Sequence, residues 1–263
     1  MGRADMKLLI GTSGFHYKEW KGEFYPEKLS QKNWFQYYCQ HFNTIELNTT
    51  FYRFPRVEFL RNWFDRSPDD FSFSVKAPRL ITHFSQFKNC DRYLSDFYTA
   101  VRDGLGHKLG AVLFQFPSTI QYKKEFLDLI MENLNYDFIN VLEFRDHSWW
   151  TEKVYRSLAA KGVVFCGMSH PNLPDSAIVN CPVFYYRFHG VPRLYYSEYP
   201  VKKLKAIANA LKEIKSVEKA FFYFNNTAGL GALSNARWMQ EYFGVAMTEQ
   251  SRSRKATNNK KLK

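Results

Sequence analysis

The chain is poor in cysteine, and none stands where a metal finger or a redox pair would need it. Cys39, Cys90, Cys166 and Cys181 make no CxxC pair, and even Cys166 and Cys181 have fourteen residues between them. Finger spacing is therefore excluded, no disulfide framework is expected in a chain of this length, and buried thiols are. Long apolar runs are missing too. Nothing approaches the roughly 20 residues of a membrane helix, so no membrane partner is expected. The start, MGRADMKLLIG, enters strand-like sequence without the apolar h-region of a signal peptide, and a cytoplasmic location follows as an expectation. Neither HxH nor HExxH occurs. GTSG at 11–14 is too short and wrongly spaced for a dinucleotide-binding glycine loop, which argues against an open doubly wound sheet.

What is present is aromatic and basic. Aromatic residues make up 18% of the 263 positions, hydrophobic residues 45%, and the formal net charge is +12. A sizeable core can be built from that composition. The charge is uneven: EQSRSRKATNNKKLK at 249–263 holds six basic residues and one acid, +5, which leaves 12 − 5 = +7 on residues 1–248. Few apolar residues occur in 249–263, so a disordered basic tail is expected, with salt-sensitive attraction to polyanions as its potential use.

Eight short runs read as buried parallel strands: 7–14, 44–50, 72–78, 111–117, 140–146, 163–169, 184–190 and 220–226. Most are apolar at the start and polar at the end, as strands covered on both faces are when they reach a ligand site. Between them the spacing predicts helices. In 201–216, Leu204, Ile207, Ala208, Leu211 and Ile214 share a stripe. Thr151 caps a helix that stops at Gly162, Ser30 opens one running to about His41, and Pro55 with Glu58 starts another. Residues 121–134 and 233–243 are also helical by pattern. Eight βα units in about 250 residues predict a single (β/α)₈ TIM barrel over residues 1–248. The sixth unit is expected to be irregular, because HPNLPDSAIVNCP at 170–182 has three prolines and little room for a helix.

Strand alternation then exposes an odd set of side chains. In FNTIELNTTFYRFP, Ile45 and Leu47 face one way while Glu46 and Asn48 face the other, into the barrel. Lys76, Gln115, Glu143, Arg145, Arg187, His189, Asn225 and Asn226 occupy equivalent positions at later strand ends. Burying any of them unpaired costs several kcal/mol, so they must form a mutually paired network, a ligand site, or both. Barrel active sites lie at that end of the strands.

GTSGFHYKEW, TIELNTTFYRFP, FSFSVKAPRLITH, LFQFP, EFRDHSWW, YYRFHG and FNNTAGLGALSNA, in that order, resemble the YecE-like family, also called domain of unknown function seventy-two. The resemblance covers about residues 8–243. It implies a TIM barrel, a bacterial or archaeal origin and a likeness to endonuclease-IV-type barrels, and it implies no settled activity.

The candidate catalytic groups are Glu46 and Glu143, a carboxylate pair suited to acid–base work, and His189, which titrates near neutrality. Asn48, Tyr52, Lys76, Gln115, Arg145, Arg187, Asn225 and Asn226 are the candidate substrate-binding groups. Three cations against two carboxylates leave +1, which favours an anion over a metal, and arginine forks suit phosphate or carboxylate. No metal or other cofactor is expected. Tyr17, Trp20, Tyr52, Trp149 and Trp150 are placed to stack on bases or sugar faces, or simply to cover the barrel top. The reading is a hydrolase or lyase for a small anionic ligand, a phosphoester or phosphosugar. The alternatives are a nucleic-acid binding or processing protein and a metabolite sensor without catalysis. The oligomeric state is not encoded in any of these features.

Overall fold

The structure, a computed structural model, describes residues 6–245. The expected tail at 249–263 lies outside them. Among these residues nine strands run in chain order: β1 (Lys7–Ser13), β2 (Thr44–Leu47), β3 (Ser72–Lys76), β4 (Leu109–Phe116), β5 (Asn140–Phe144), β6 (Val164–Phe165), β7 (Gly167–Ser169), β8 (Val183–Phe188) and β9 (Lys219–Phe224). Every ladder is parallel, in the order β6-β5-β4-β3-β2-β1-β9-β8-β7. The two outermost strands of that order are one stretch of chain interrupted at Cys166. Its first half pairs with β5 and its second half with β8, so the chain itself carries the sheet around into a TIM-like barrel.

Among the described residues eight α-helices accompany the strands: α1 (Trp34–Cys39), α2 (Thr49–Tyr52), α3 (Val57–Arg66), α4 (Asp91–Leu105), α5 (Lys124–Asn133), α6 (Glu152–Ala159), α7 (Val201–Lys212) and α8 (Gly231–Phe243). Thr151 caps α6 as its position suggests, its side chain accepting from the Val154 N–H at 3.4 Å. Ser30 makes no such side-chain bond, and the α1 region begins as a 3-10 turn. The sixth unit is irregular: residues 170–182 contain no helix, and β7 passes to β8 through turns and coil.

The sequence reading assigns nothing to 91–105, yet α4 there is the longest helix among the described residues. Its buried Leu94, Phe97, Tyr98, Val101 and Leu105 follow helical spacing, so the signal was available. Gly104 near its end has a packing reason, since a Cβ there would meet the Leu60 Cβ of α3 at 2.4 Å. Helix entropy is spent on that close approach.

Alternation sorts the core into two layers. Outward residues such as Ile45, Phe73, Phe114, Leu142 and Phe222 pack under the helices. Inward residues Leu9, Leu113, Val141, Val164, Tyr185 and Phe221 fill the barrel. Each such large apolar group contributes roughly 1.5–3 kcal/mol on burial. Towards the strand C-termini the inward layer turns from apolar to charged, and that change of character defines the site.

Candidate functional site

Three inward side chains from three strands form a buried chain of charge. Arg187 on β8 donates from Nη2 to Glu46 Oε1 at 2.6 Å and from Nη1 to Glu143 Oε2 at 2.6 Å. Glu46 and Glu143 are 0% exposed and Arg187 is 1% exposed. Glu46 also accepts from Tyr185 Oη at 2.6 Å, Ser13 Oγ at 2.8 Å and Asn48 Nδ2 at 3.3 Å. Glu143 accepts in addition from Arg145 Nε at 2.5 Å, and the Cys166 thiol lies 3.7 Å away. Burial alone would raise the Glu143 pKa, but Arg145 and Arg187 hold it well below the ordinary carboxylate range. Two carboxylates thus meet two guanidiniums, and their formal charges cancel.

His189 sits against this cluster, fully buried just past the end of β8. Its Nε2 is 3.1 Å from Arg145 Nη2 and 3.5 Å from Arg187 Nη1, and its Nδ1 is 3.0 Å from Asn225 Nδ2. Burial, then Arg145 and Arg187, depress its pKa well below that of free histidine, so the ring is neutral at pH 7. Next to it, Gly190 takes φ +93°, a conformation only glycine adopts without strain, and turns the chain into the loop that follows.

Above the charge cluster opens a cavity of about 590 Å³. Lys76, Gln115, Arg145 and Asn225 reach it from strand ends, with Asn48 and Arg187 also in its wall. Tyr17, Phe51, Tyr52 and Tyr195 supply aromatic faces, and His170 with Asn172 enters from the irregular sixth unit. Lys76 Nζ donates to Gln115 Oε1 at 2.8 Å and stands over the Phe51 ring at 4.0 Å. Among the described residues it makes no ion pair. Burial first, then the Arg187 charge, lowers its pKa to about 7. His170, mainly through burial, is lowered to about 4 and is also neutral at pH 7. Two buried atoms of the wall residues have no partner: Arg187 Nε, a donor, and Asn48 Oδ1, an acceptor. Buried polar atoms in folded chains are nearly always bonded, so this donor and this acceptor are hydrogen-bonding capacity that the described residues leave unused.

The expected site residues therefore divide. Asn48, Tyr52, Lys76, Gln115, Arg145, Arg187 and Asn225 line one cavity. Glu46, Glu143 and His189, the expected catalytic groups, do not line it; their polar atoms are engaged by neighbours beneath it. The Arg187 fork is likewise closed, because both Nη atoms hold carboxylates. Asn226 is turned away altogether. Its Nδ2 donates to Ser197 O at 3.0 Å and to Asn235 Oδ1 at 3.1 Å, and Asn235 clamps Tyr199 from both its N–H and its C=O. It does not line the cavity with the other expected substrate-binding groups and instead ties down the loop after β8. Trp20 and Trp149 are fully buried, the latter stacked 4.0 Å from Phe144, and they cover the barrel.

Some contributors were not singled out from sequence. Tyr185 and Cys166 have the same inward parity as Arg187 and Glu143, a signal that was present. Phe51 and Tyr195 come from α2 and a loop, where no alternation rule applies. No group of three or more His, Cys, Asp or Glu among the described residues is placed to hold a metal ion, and no helix there is long and apolar enough to cross a membrane.

Comparison with known proteins places the chain. UPF0759 protein YunF of Bacillus subtilis (strain 168) is 25% identical over 274 residues, covering 90% of this chain and 95% of that protein. UPF0759 protein YecE of Escherichia coli (strain K12) is 33% identical over 104 residues, and that match spans only 38% of either chain. The crystal structure of a DUF72 family protein from Thermotoga maritima superposes with a TM-score of 0.81 at 27% identity, over 90% of this chain and 99% of that one. A DUF72 family protein from Enterococcus faecalis, at 19% identity and a TM-score of 0.78, shares the fold over 91% of this chain and 96% of its own. A family model described as "Protein of unknown function DUF72" matches residues 9–260, and the chain belongs to that family.

Proposed function

We propose that the barrel mouth is the active site of an enzyme acting on a small, hydroxylated anion such as a phosphosugar. The observation that carries this reading is the charge balance. Glu46 and Glu143 are matched by Arg187 and Arg145, whereas Lys76 lines the cavity bonded to a neutral amide and set over an aromatic face, with no carboxylate in ion-pair contact among the described residues. One cation without a carboxylate, at the open end of the barrel, attracts an anion. Arg145 supplies a second, partly engaged cation in the same wall. The cavity volume falls in the usual range for small-molecule sites, and Arg187 Nε with Asn48 Oδ1 provides a donor and an acceptor for hydroxyl groups. Lys76, titrating near pH 7, is suited to proton transfer at physiological pH.

Calorimetric titration with phosphate and with phosphosugars tests the reading. Lys76→Met should weaken binding by about 10–100-fold, the scale of one charge-assisted contact. Equal affinities in wild type and variant would refute it.

A second reading has its own observation. Tyr52 is 67% exposed at the cavity rim, and Arg79 lies over both its ring, at 5.6 Å, and that of the equally exposed Phe84, at 5.3 Å. Alternating aromatic and guanidinium planes suit stacked bases of single-stranded nucleic acid. Binding of an unstructured oligonucleotide that falls steeply with salt and is lost in Tyr52→Ala would favour it.

A further inference from the structure

We propose that Lys76 is a nucleophilic amine that forms an imine with a carbonyl group of the substrate, so that the anions taken by this barrel are aldehydes or ketones. The inference rests on the reading of the mouth as an active site and names its substrate class. Four features of the geometry converge on it. Nζ is placed by the last residue of a strand, β3, and so is held by the ladder rather than by a mobile loop. It opens into the cavity beside Arg145, which can face the anionic group of the same substrate. Its hydrogen-bond partner is Gln115 Oε1, a neutral acceptor, where an ammonium built for charge pairing would have a carboxylate. The Phe51 ring, 4.0 Å away, covers one side of the nitrogen and leaves the other facing the cavity. The same surroundings, burial foremost and the Arg187 charge next, bring its pKa to about 7, which leaves a large fraction of free amine at neutral pH.

The step balances without any oxidant or reductant. The Nζ lone pair attacks the carbonyl carbon while the C=O π pair moves to oxygen, and a proton passes from nitrogen to that oxygen to give a carbinolamine. Loss of its hydroxyl with the remaining N–H proton, as water, leaves the C=N bond. A protonated imine then withdraws electrons from the adjacent carbon, the chemistry needed to cleave or form a C–C bond or to move a proton beside the former carbonyl.

The test is reductive trapping on the full chain. Dihydroxyacetone phosphate, glyceraldehyde 3-phosphate and pyruvate are each incubated with the protein at pH 7.5, with and without borohydride, followed by intact mass and peptide mapping. An ordinary lysine with a pKa near 10.5 is about one part in 10³ free amine at that pH. The expected result is one adduct per chain, on the peptide holding Lys76, forming at least about tenfold faster than on any other lysine and with a midpoint near pH 7. Lys76→Arg, which keeps a cation, should abolish it. Adducts spread evenly over surface lysines would overturn the proposal. So would the absence of any adduct while phosphate or phosphosugar binding persists, a result that leaves the anion site standing and Lys76 as a proton carrier only. Absence of both would remove the mouth reading itself.

Discussion

Two lysines lie at opposite ends of adjacent barrel strands, and they are buried for opposite reasons. Lys108, entering β4 at its N-terminal end, is 5% exposed and donates to Phe64 O at 2.7 Å, Ser67 O at 2.9 Å and Ser67 Oγ at 3.1 Å. Those oxygens close the C-terminus of α3, where a helix presents unpaired carbonyls and the negative end of its dipole. Every N–H of that ammonium has an acceptor. Lys76, leaving β3 at its C-terminal end, has one neutral acceptor, a ring face, and arginines nearby. The first environment satisfies every donor of the ammonium; the second, through burial and the nearby Arg187, disfavours its charge. Burial alone does not separate the two lysines; what separates them is the set of acceptors the fold gives to Lys108 and withholds from Lys76.

The largest break in this picture comes from neither lysine. Arg187→Met leaves Glu46 and Glu143 buried beneath the cavity without their shared partner. Removing one member of a buried ion-paired set costs about 3–5 kcal/mol, so urea denaturation at pH 7 should show a loss of that size. A loss below about 1 kcal/mol would mean the cluster is not the scaffold described above.

Lys108→Met comes next. It uncaps α3 and should cost about 1.5–3 kcal/mol, the scale for hydrogen bonds to a charged group, while phosphate affinity at the mouth stays as in wild type. A change in that affinity would erase the distinction between the two ends.

Lys76→Met should alter stability through pH. In the folded chain the pKa is about 7 and in the unfolded chain it is near the ordinary 10.5. Between those values the unfolded state holds more protons, so wild-type stability rises with pH across that window and the burial penalty is fully present below pH 7. The variant should therefore gain most over wild type at pH 6, with the gain shrinking towards pH 10. A gain that does not vary with pH contradicts the environment assigned to Lys76.

His189→Asn has the smallest effect, at most about 1.4 kcal/mol per pH unit for one proton. His189 is held below its unfolded pKa of 6.5 by burial and by Arg145 and Arg187, and its stabilising contribution is lost as pH falls through 6.5. The variant should flatten the stability curve between pH 6.5 and 4.5. Below that range the depressed Glu143 carboxyl adds its own loss in both proteins.

The barrel was legible because parallel strands announce themselves. Runs such as AVLFQFP and AFFYFNN are apolar on both faces, and three prolines in 170–182 leave no room for a helix. α4 was missed although Leu94, Phe97 and Val101 carried its period, since charged residues and Gly104 break the run to the eye. Strand parity also brought Glu46, Lys76, Glu143, Arg145 and Arg187 to one end. It was silent on Phe51 and Tyr195, which arrive through the short helix α2 and a loop of no fixed period.

By itself the sequence determined which side chains reach the mouth, because a strand allows only two facings and the polar residues occupy one of them. Only the tertiary structure decided their roles. A guanidinium binds a ligand or a carboxylate according to which lies within about 3 Å. That distance depends on β2, β5 and β8 meeting across the barrel, where Glu46 and Glu143 claim Arg187 and leave Lys76 as the cation without an anion.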